Sequence, residues 1–174
     1  MFKTIAIAVV VLIAGVLVFA ATKPDTFRVQ RSTSIKAQPE KIAAALSDFH
    51  GWEAWSPWEK MDPAMKRSHS GAAKGKGAAY AWEGNSKVGQ GRMEITDAGP
   101  SRVAMDLDFI KPFEAHNKVV FTLVPQGDAT EVIWDMRGPS PYITKVMTVF
   151  CNMDAMIGKQ FESGLANLKS VTEK

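Results

Sequence analysis

The sequence predicts an α+β protein in which a curved antiparallel sheet of about seven strands closes over a long C-terminal helix, behind an N-terminal apolar helix. Three observations predict this. An uncharged apolar run opens the chain, period-two segments separated by short turns fill its middle, and an apolar stripe at helical spacing closes it.

Ile5 to Ala21 carries no charged or strongly polar side chain and is bracketed by Lys3 and Lys23. As a helix the run measures about 25 Å, and Thr4, Thr22 and the lysine stems extend it toward the roughly 30 Å of a hydrocarbon core. Residues 1–22 are expected to form a single-pass transmembrane anchor, and residues 23–174 a separate domain. The rival reading is a signal peptide, with Lys3 as its positive start and Val18-Phe19-Ala20 near a cut. The run stays apolar to its end, which favours the anchor. Lys3 opposes Lys23, Arg28 and Arg31 across it, so the flanking charges leave topology open, and a domain outside the cytoplasm is the working expectation.

Thr26 to Lys36 alternates as a strand, with Phe27, Val29, Arg31, Thr33 and Ile35 on one side. Pro39 suits a first helical position, and Pro39 to Phe49 carries Ile42, Ala45, Leu46 and Phe49 at the spacing of a short amphipathic helix. His50 to Pro63 is a loop holding Trp52, Trp55 and Trp58 among the breakers Gly51, Pro57 and Pro63. Extended segments follow at Met65–Gly71, Lys76–Gly84, Val88–Ala98, Ser101–Lys111, Phe113–Gln126 and Ala129–Arg137. Turn signals such as Gly84-Asn85-Ser86, Gly99-Pro100 and Gln126-Gly127-Asp128 make neighbours antiparallel. Val103, Met105, Leu107 and Phe109 alternate against Ala104, Asp106 and Asp108, and Asn117, Val119, Phe121 and Leu123 share the inward phase of the next strand. In the last strand Val132, Trp134 and Met136 point inward and Glu131, Asp135 and Arg137 outward.

Ser140-Pro141 reads as the N-cap and first turn of a terminal helix running to about Val171. Its stripe of Tyr142, Val146, Val149, Phe150, Met153, Met156, Ile157, Phe161, Leu165 and Leu168 needs a large apolar partner, and the inner face of the sheet is the candidate. Gly158 and Gly164 weaken such a helix by up to about 1 kcal/mol each. Close approach to the sheet explains them most simply, and room for a ligand or a gating bend is the alternative.

Composition narrows the function. A chain of 174 residues with 46% hydrophobic and 22% charged residues has room for one core, and a net charge of +3 with interleaved signs argues against nucleic acid as a partner. Cys151 is the only cysteine, which excludes an intrachain disulfide, a CxxC pair and a cysteine zinc cluster. His50, His69 and His116 are scattered, so no metal is expected, and the glycines from Gly84 to Gly91 span a hairpin without a following helix to bind phosphate.

The order of elements, the stretch Ile35-Lys36-Ala37-Gln38-Pro39-Glu40-Lys41-Ile42 and the stretch Trp52-Glu53-Ala54-Trp55-Ser56-Pro57-Trp58 resemble the polyketide cyclase/dehydrase branch of the START-like (SRPBCC) superfamily. The resemblance covers about residues 26 to 172. It implies a helix-grip fold with a deep apolar cavity between sheet and terminal helix. Its members bind or transform lipids, sterols, polyketides, plant hormones or nothing identified, and the resemblance brings no invariant catalytic set with it.

The expectation is a membrane-anchored module that binds a hydrophobic small molecule or lipid without a cofactor. Its cavity would be lined by Trp55, Trp58, Tyr80, Trp82, Met105, Asn117, Phe121, Trp134, Phe150, Met153 and Ile157. Inward methionines, Met93, Met105, Met136, Met147, Met153 and Met156, suit a pocket that repacks around varied ligands and equally suit a filled core. The tryptophan loop forms the lip of the cavity, touches the membrane interface, or simply plugs the open end of the sheet. The alternative function is a polyketide cyclase/dehydrase-like enzyme polarising a carbonyl with Tyr80, Asn117 or Arg31, with Glu53, Glu59 and Asp154 as weaker acid/base options.

Overall fold

The computed structural model describes residues 2–174. Helix α1 spans Phe2–Ala21, strand β1 Thr26–Ile35 and helix α2 Pro39–Leu46; two 3-10 turns follow at Phe49–Ala54 and Pro57–Lys60. Strands β2 (Lys66–Gly71), β3 (Ala78–Glu83), β4 (Gln90–Ala98), β5 (Arg102–Lys111), β6 (Ala115–Gln126) and β7 (Ala129–Pro139) lead to helices α3 (Tyr142–Phe150) and α4 (Met153–Thr172). The expected strands lie within two residues of these bounds.

The seven strands form one curved sheet in the order β1-β7-β6-β5-β4-β3-β2. Consecutive hairpins build it from β2 to β7, because each connecting turn is too short for a crossover. Strand β1 closes the order by pairing antiparallel with β7, Val29 opposite Met136 and Arg31 opposite Trp134. Alternation puts Val103, Met105, Leu107, Val119, Phe121, Leu123, Val132, Trp134 and Met136 on one buried face. Asp135 points the other way, as its phase predicts, yet is buried beneath the guanidinium groups of Arg28 and Arg137, which both pair with it.

Helix α4 lies in the concavity, with Phe161, Leu165 and Leu168 fully buried against the sheet. Removing each such side chain from water contributes about 1.5–3 kcal/mol. Its two glycines mark close approaches. A Cβ on Gly164 would stand 2.8 Å from the Trp134 indole and 3.2 Å from Pro57, and one on Gly158 would meet the Arg31 guanidinium. That guanidinium ties β1 to α4 by pairing with Asp154 at 2.9 Å and Glu162 at 2.8 Å.

The single terminal helix expected from periodicity is two helices. Cys151 adopts extended backbone, and the Asn152 side chain caps α4 by accepting from the Ala155 amide at 3.0 Å. The start also shifts by one: Pro141 is the N-cap of α3, and no side chain caps it. Helix α3 packs on α1 instead of the sheet. The Tyr142 hydroxyl donates to the Leu17 carbonyl at 2.8 Å, Lys23 Nζ donates to the Thr148 carbonyl at 2.7 Å, and buried Lys145 pairs with Asp25 at 2.6 Å. Three members of the stripe, Tyr142 and Phe150 on α3 and Met156 on α4, are exposed instead of core, as is Met147, expected among the inward methionines.

Two outcomes are expected. Gly158→Ala should stay within about 1 kcal/mol of the parent in urea denaturation, because the Arg31 guanidinium can swing aside and alanine favours the helix; Gly164→Ala should lose about 1–3 kcal/mol, because Trp134 is walled in by rings and cannot yield. The Asp154 carboxyl is held below its ordinary value of 3.8, chiefly by its hydrogen bond to Arg31. A depressed pKa makes the pair stabilising above that value and lost as pH falls through the folded one, so Asp154→Asn should flatten the fall in stability below about pH 4.

Candidate functional site

The strand registers divide the concave face into rows. The row nearest the α1–β1 junction holds Phe27 opposite Gly138, then Asn117 opposite Leu107 and Leu107 opposite Met93, ending at Tyr80. The next runs through Val29, Met136, Val119 and Met105. A third holds Arg31, Trp134, Phe121 and Val103.

The third row is packed by aromatic rings. Trp134 lies flat on Phe161, with centroids 4.1 Å apart and planes inclined by 8°. Trp55 and Trp58 each meet Trp134 edge-on at 5.8 Å, and Phe121 is tilted against it at 4.7 Å. Four of the expected lining residues, Trp55, Trp58, Phe121 and Trp134, thus fill space between sheet and helix, and Met105 is buried beside them in the next row. The tryptophan loop follows the plain reading as a plug: Trp52 and Trp55 are core, and Trp52 Nε1 donates to the Leu46 carbonyl at 3.1 Å.

Tyr80 and Arg31 have their polar atoms occupied. The Tyr80 hydroxyl donates to Glu59 at 2.6 Å, and Arg67 donates to the other oxygen of the same carboxylate at 2.7 Å. Burial first, and then the hydrogen bond to Glu59, push the Tyr80 phenol far above its ordinary value. This triad, with Glu59 and Tyr80 buried and Arg67 half-buried, clamps the second 3-10 turn onto β2 and β3. Arg31 is held by Asp154 and Glu162.

Asn117 differs. Its side chain is only 4% exposed, and its Oδ1 has no hydrogen-bond partner among the described residues. The oxygen lies over Gly138, where a Cβ would come within 1.9 Å of it and within 2.9 Å of the Phe27 ring. An unmet buried acceptor costs about 1–3 kcal/mol. The indole nitrogens of Trp55 and Trp134 are likewise buried without partners. At the Asn117 end of the sheet Phe27 and Phe109 stay half-buried, whereas Trp82 is buried, meets Phe109 edge-on at 5.8 Å and donates to the Val88 carbonyl; Ile157 on α4 is half-buried against the core.

Phe150 and Met153 lie elsewhere. Phe150 is 73% exposed on α3, which corrects its expected inward placement. Both residues line a surface recess of about 510 Å³ at the α3–α4 break, together with Lys23, Thr148, Asn152 and Asp154. A second recess, of about 530 Å³, opens on the convex face among Arg28, Arg102, Lys118 and Arg137. Neither lies between sheet and α4. Among the described residues no group of three or more His, Cys, Asp or Glu side chains is placed to hold a metal. Sequence reasoning missed the grouping of Phe27 and Phe109 around Asn117. Alternation points all three inward, but only the register puts them at one end.

A family model described as polyketide cyclase / dehydrase and lipid transport matches residues 26–173. The solved structure of CV1439 from Chromobacterium violaceum is similar with a TM-score of 0.60 at 14% identity, over 87% of this chain and 99% of that one. The Aha1 dimer from Colwellia psychrerythraea gives 0.59 at 19% identity over 84% and 96%. The di-domain ARO/CYC StfQ of the steffimycin biosynthetic pathway gives 0.62 at 9% identity, over 85% of this chain and 51% of that one. No curated protein matches the sequence. At these identities the structures share the fold alone, and the family model spans everything from β1 to the end of α4: the chain belongs to the START-like polyketide cyclase / dehydrase and lipid transport family.

Proposed function

We propose that the protein is a membrane-anchored binding module that holds a hydrophobic small molecule or lipid between the sheet and α4, at the Asn117 end. The single observation that carries this reading is the unpartnered Asn117 oxygen set among apolar side chains. Pockets for such ligands combine apolar walls with one or two polar groups that fix orientation. Phe27, Phe109 and Ile157, half-buried and packed against the core, supply apolar surface that a ligand would cover, and Leu107, Met93 and Met136 lie beneath. Entry requires α4 to part from the sheet at this end, and the break at Cys151 and Asn152 offers the hinge. The aromatic plug around Trp134 supports the far end while that happens.

The catalytic alternative is weaker on these contacts. Tyr80 and Arg31 are tied to carboxylates, and a carboxamide such as that of Asn117 can orient a carbonyl but cannot exchange a proton with it.

Helix α1 supports the anchor by being long and apolar enough to cross a membrane, a property that a signal sequence near the N-terminus shares. The proposed arrangement is a single pass with the domain outside the cytoplasm. A C-terminal tag should then be digested by protease added to intact cells; protection until the membrane is opened would place the domain in the cytoplasm.

Full-length protein extracted in mild detergent should carry a hydrophobic molecule that native mass spectrometry detects and solvent extraction releases. An interior that stays empty, with no affinity for lipids or aromatic polyketides, would count decisively against the reading. Asn117→Leu should weaken binding of a carbonyl- or hydroxyl-bearing ligand by about tenfold, the worth of one hydrogen bond, while raising the stability of the empty protein by removing the unmet acceptor.

A further inference from the structure

Helix α3 is built inside out for a helix at a protein surface exposed to water. Ile143, Met147 and Phe150 recur at intervals of four and three residues, so they form one stripe, and all three are exposed. The buried residue is the charged one: Lys145 is packed away from solvent and pairs with Asp25 of the α1–β1 link, whose own side chain stays exposed. The helix contains no acidic side chain. A helix turned this way wants an apolar medium on its outer face.

The attachments of α3 say where that medium lies. The Tyr142 hydroxyl reaches the carbonyl of Leu17, four residues before the end of α1 and therefore about 6 Å inside the apolar run. Lys23, just past the end of that run, holds the Thr148 carbonyl. A second apolar patch supports the same direction. Residues 26 and 139 start β1 and end β7, and the β5–β6 turn emerges at that same end of the sheet, carrying the 62% exposed Phe113 next to exposed Ile110 near the end of β5.

We propose that α3 is seated in the lipid surface, with Ile143, Met147 and Phe150 buried at the boundary between headgroups and acyl chains and Phe113 dipping beside them. This rests on the reading of α1 as a retained anchor and extends it. The anchor would then orient the domain as well as tether it, turning the Asn117 end of the concave face toward the bilayer so that a lipid ligand could pass from membrane to protein without crossing water. Interfacial helices of this kind bind through buried apolar area, while their polar face stays against water or protein.

The lone cysteine provides the test, since Cys151 is exposed at the end of α3. Full-length protein labelled there with an NBD fluorophore is placed in phosphatidylcholine/phosphatidylglycerol nanodiscs and challenged with aqueous iodide and with lipids spin-labelled at the headgroup, at carbon 5 and at carbon 12. The expected result is protection from iodide and strongest quenching by the headgroup and carbon-5 labels. The triple variant Ile143→Ser, Met147→Ser, Phe150→Ser alters only exposed positions and should lose that quenching while keeping its far-UV dichroism. Full iodide access in a chain of intact mass that remains in the disc overturns the seating of α3 and leaves the anchor standing. A probe shielded from iodide but untouched by spin-labelled lipid points to a protein neighbour and also overturns it. Recovery of a shortened chain outside the disc overturns the anchor, and the seating with it.

Discussion

Trp134 of β7 lies flat on Phe161 of α4, 4.1 Å between ring centroids, and this stack sets the spacing on which the rest of the domain depends. A helix can come that near a sheet only where it lacks a side chain, which is the position Gly164 occupies against the indole. With the helix at that height, Trp55, Trp58 and Phe121 close around the stack as edge-on and tilted neighbours, the geometry that aromatic quadrupoles favour. The tryptophan loop then has no freedom left, and Glu59 fastens its second turn to Tyr80 and Arg67.

Because one end of the concavity is locked in this way, adaptability is left to the other. There the row of Phe27, Gly138, Asn117 and Leu107 carries small, flexible or half-buried groups and one acceptor without a donor. The proposed binding would use both ends: the closed aromatic end as a fixed frame that keeps the sheet curved, and the looser apolar end as a region whose packing can be exchanged for a ligand.

The break between α3 and α4 separates two kinds of contact that one helix could not make. Helix α4 is amphipathic toward the sheet, whereas α3 buries Lys145, which pairs with exposed Asp25 in the α1–β1 link, and turns its apolar stripe outward. The extended backbone at Cys151 and the cap from Asn152 allow the change of direction. They also place a recess at the α3–α4 break, beside Lys23 of the α1–β1 link.

By itself the sequence determined the elements and their inner faces. Alternation in β5, β6 and β7 named the buried residues, since period two follows from the pleat and needs no knowledge of partners. The apolar run of α1, the start of α2 at Pro39 and the family resemblance were equally legible, being local. The break in the terminal helix was legible in principle at Asn152, whose N-cap signal is masked because the apolar periodicity continues across it. What only the tertiary structure decided is which apolar residues are core and which polar atoms are free. Phe150 and Phe161 fit one stripe, yet one is exposed and the other buried, because α3 and α4 pack on different partners. Tyr80, Arg31 and Asn117 share an inward phase, yet carboxylates from a distant loop and helix satisfy the first two and leave the third alone. Periodicity reports the direction of a side chain from its own backbone, whereas the contacts that satisfy or expose it come from segments far away in the chain.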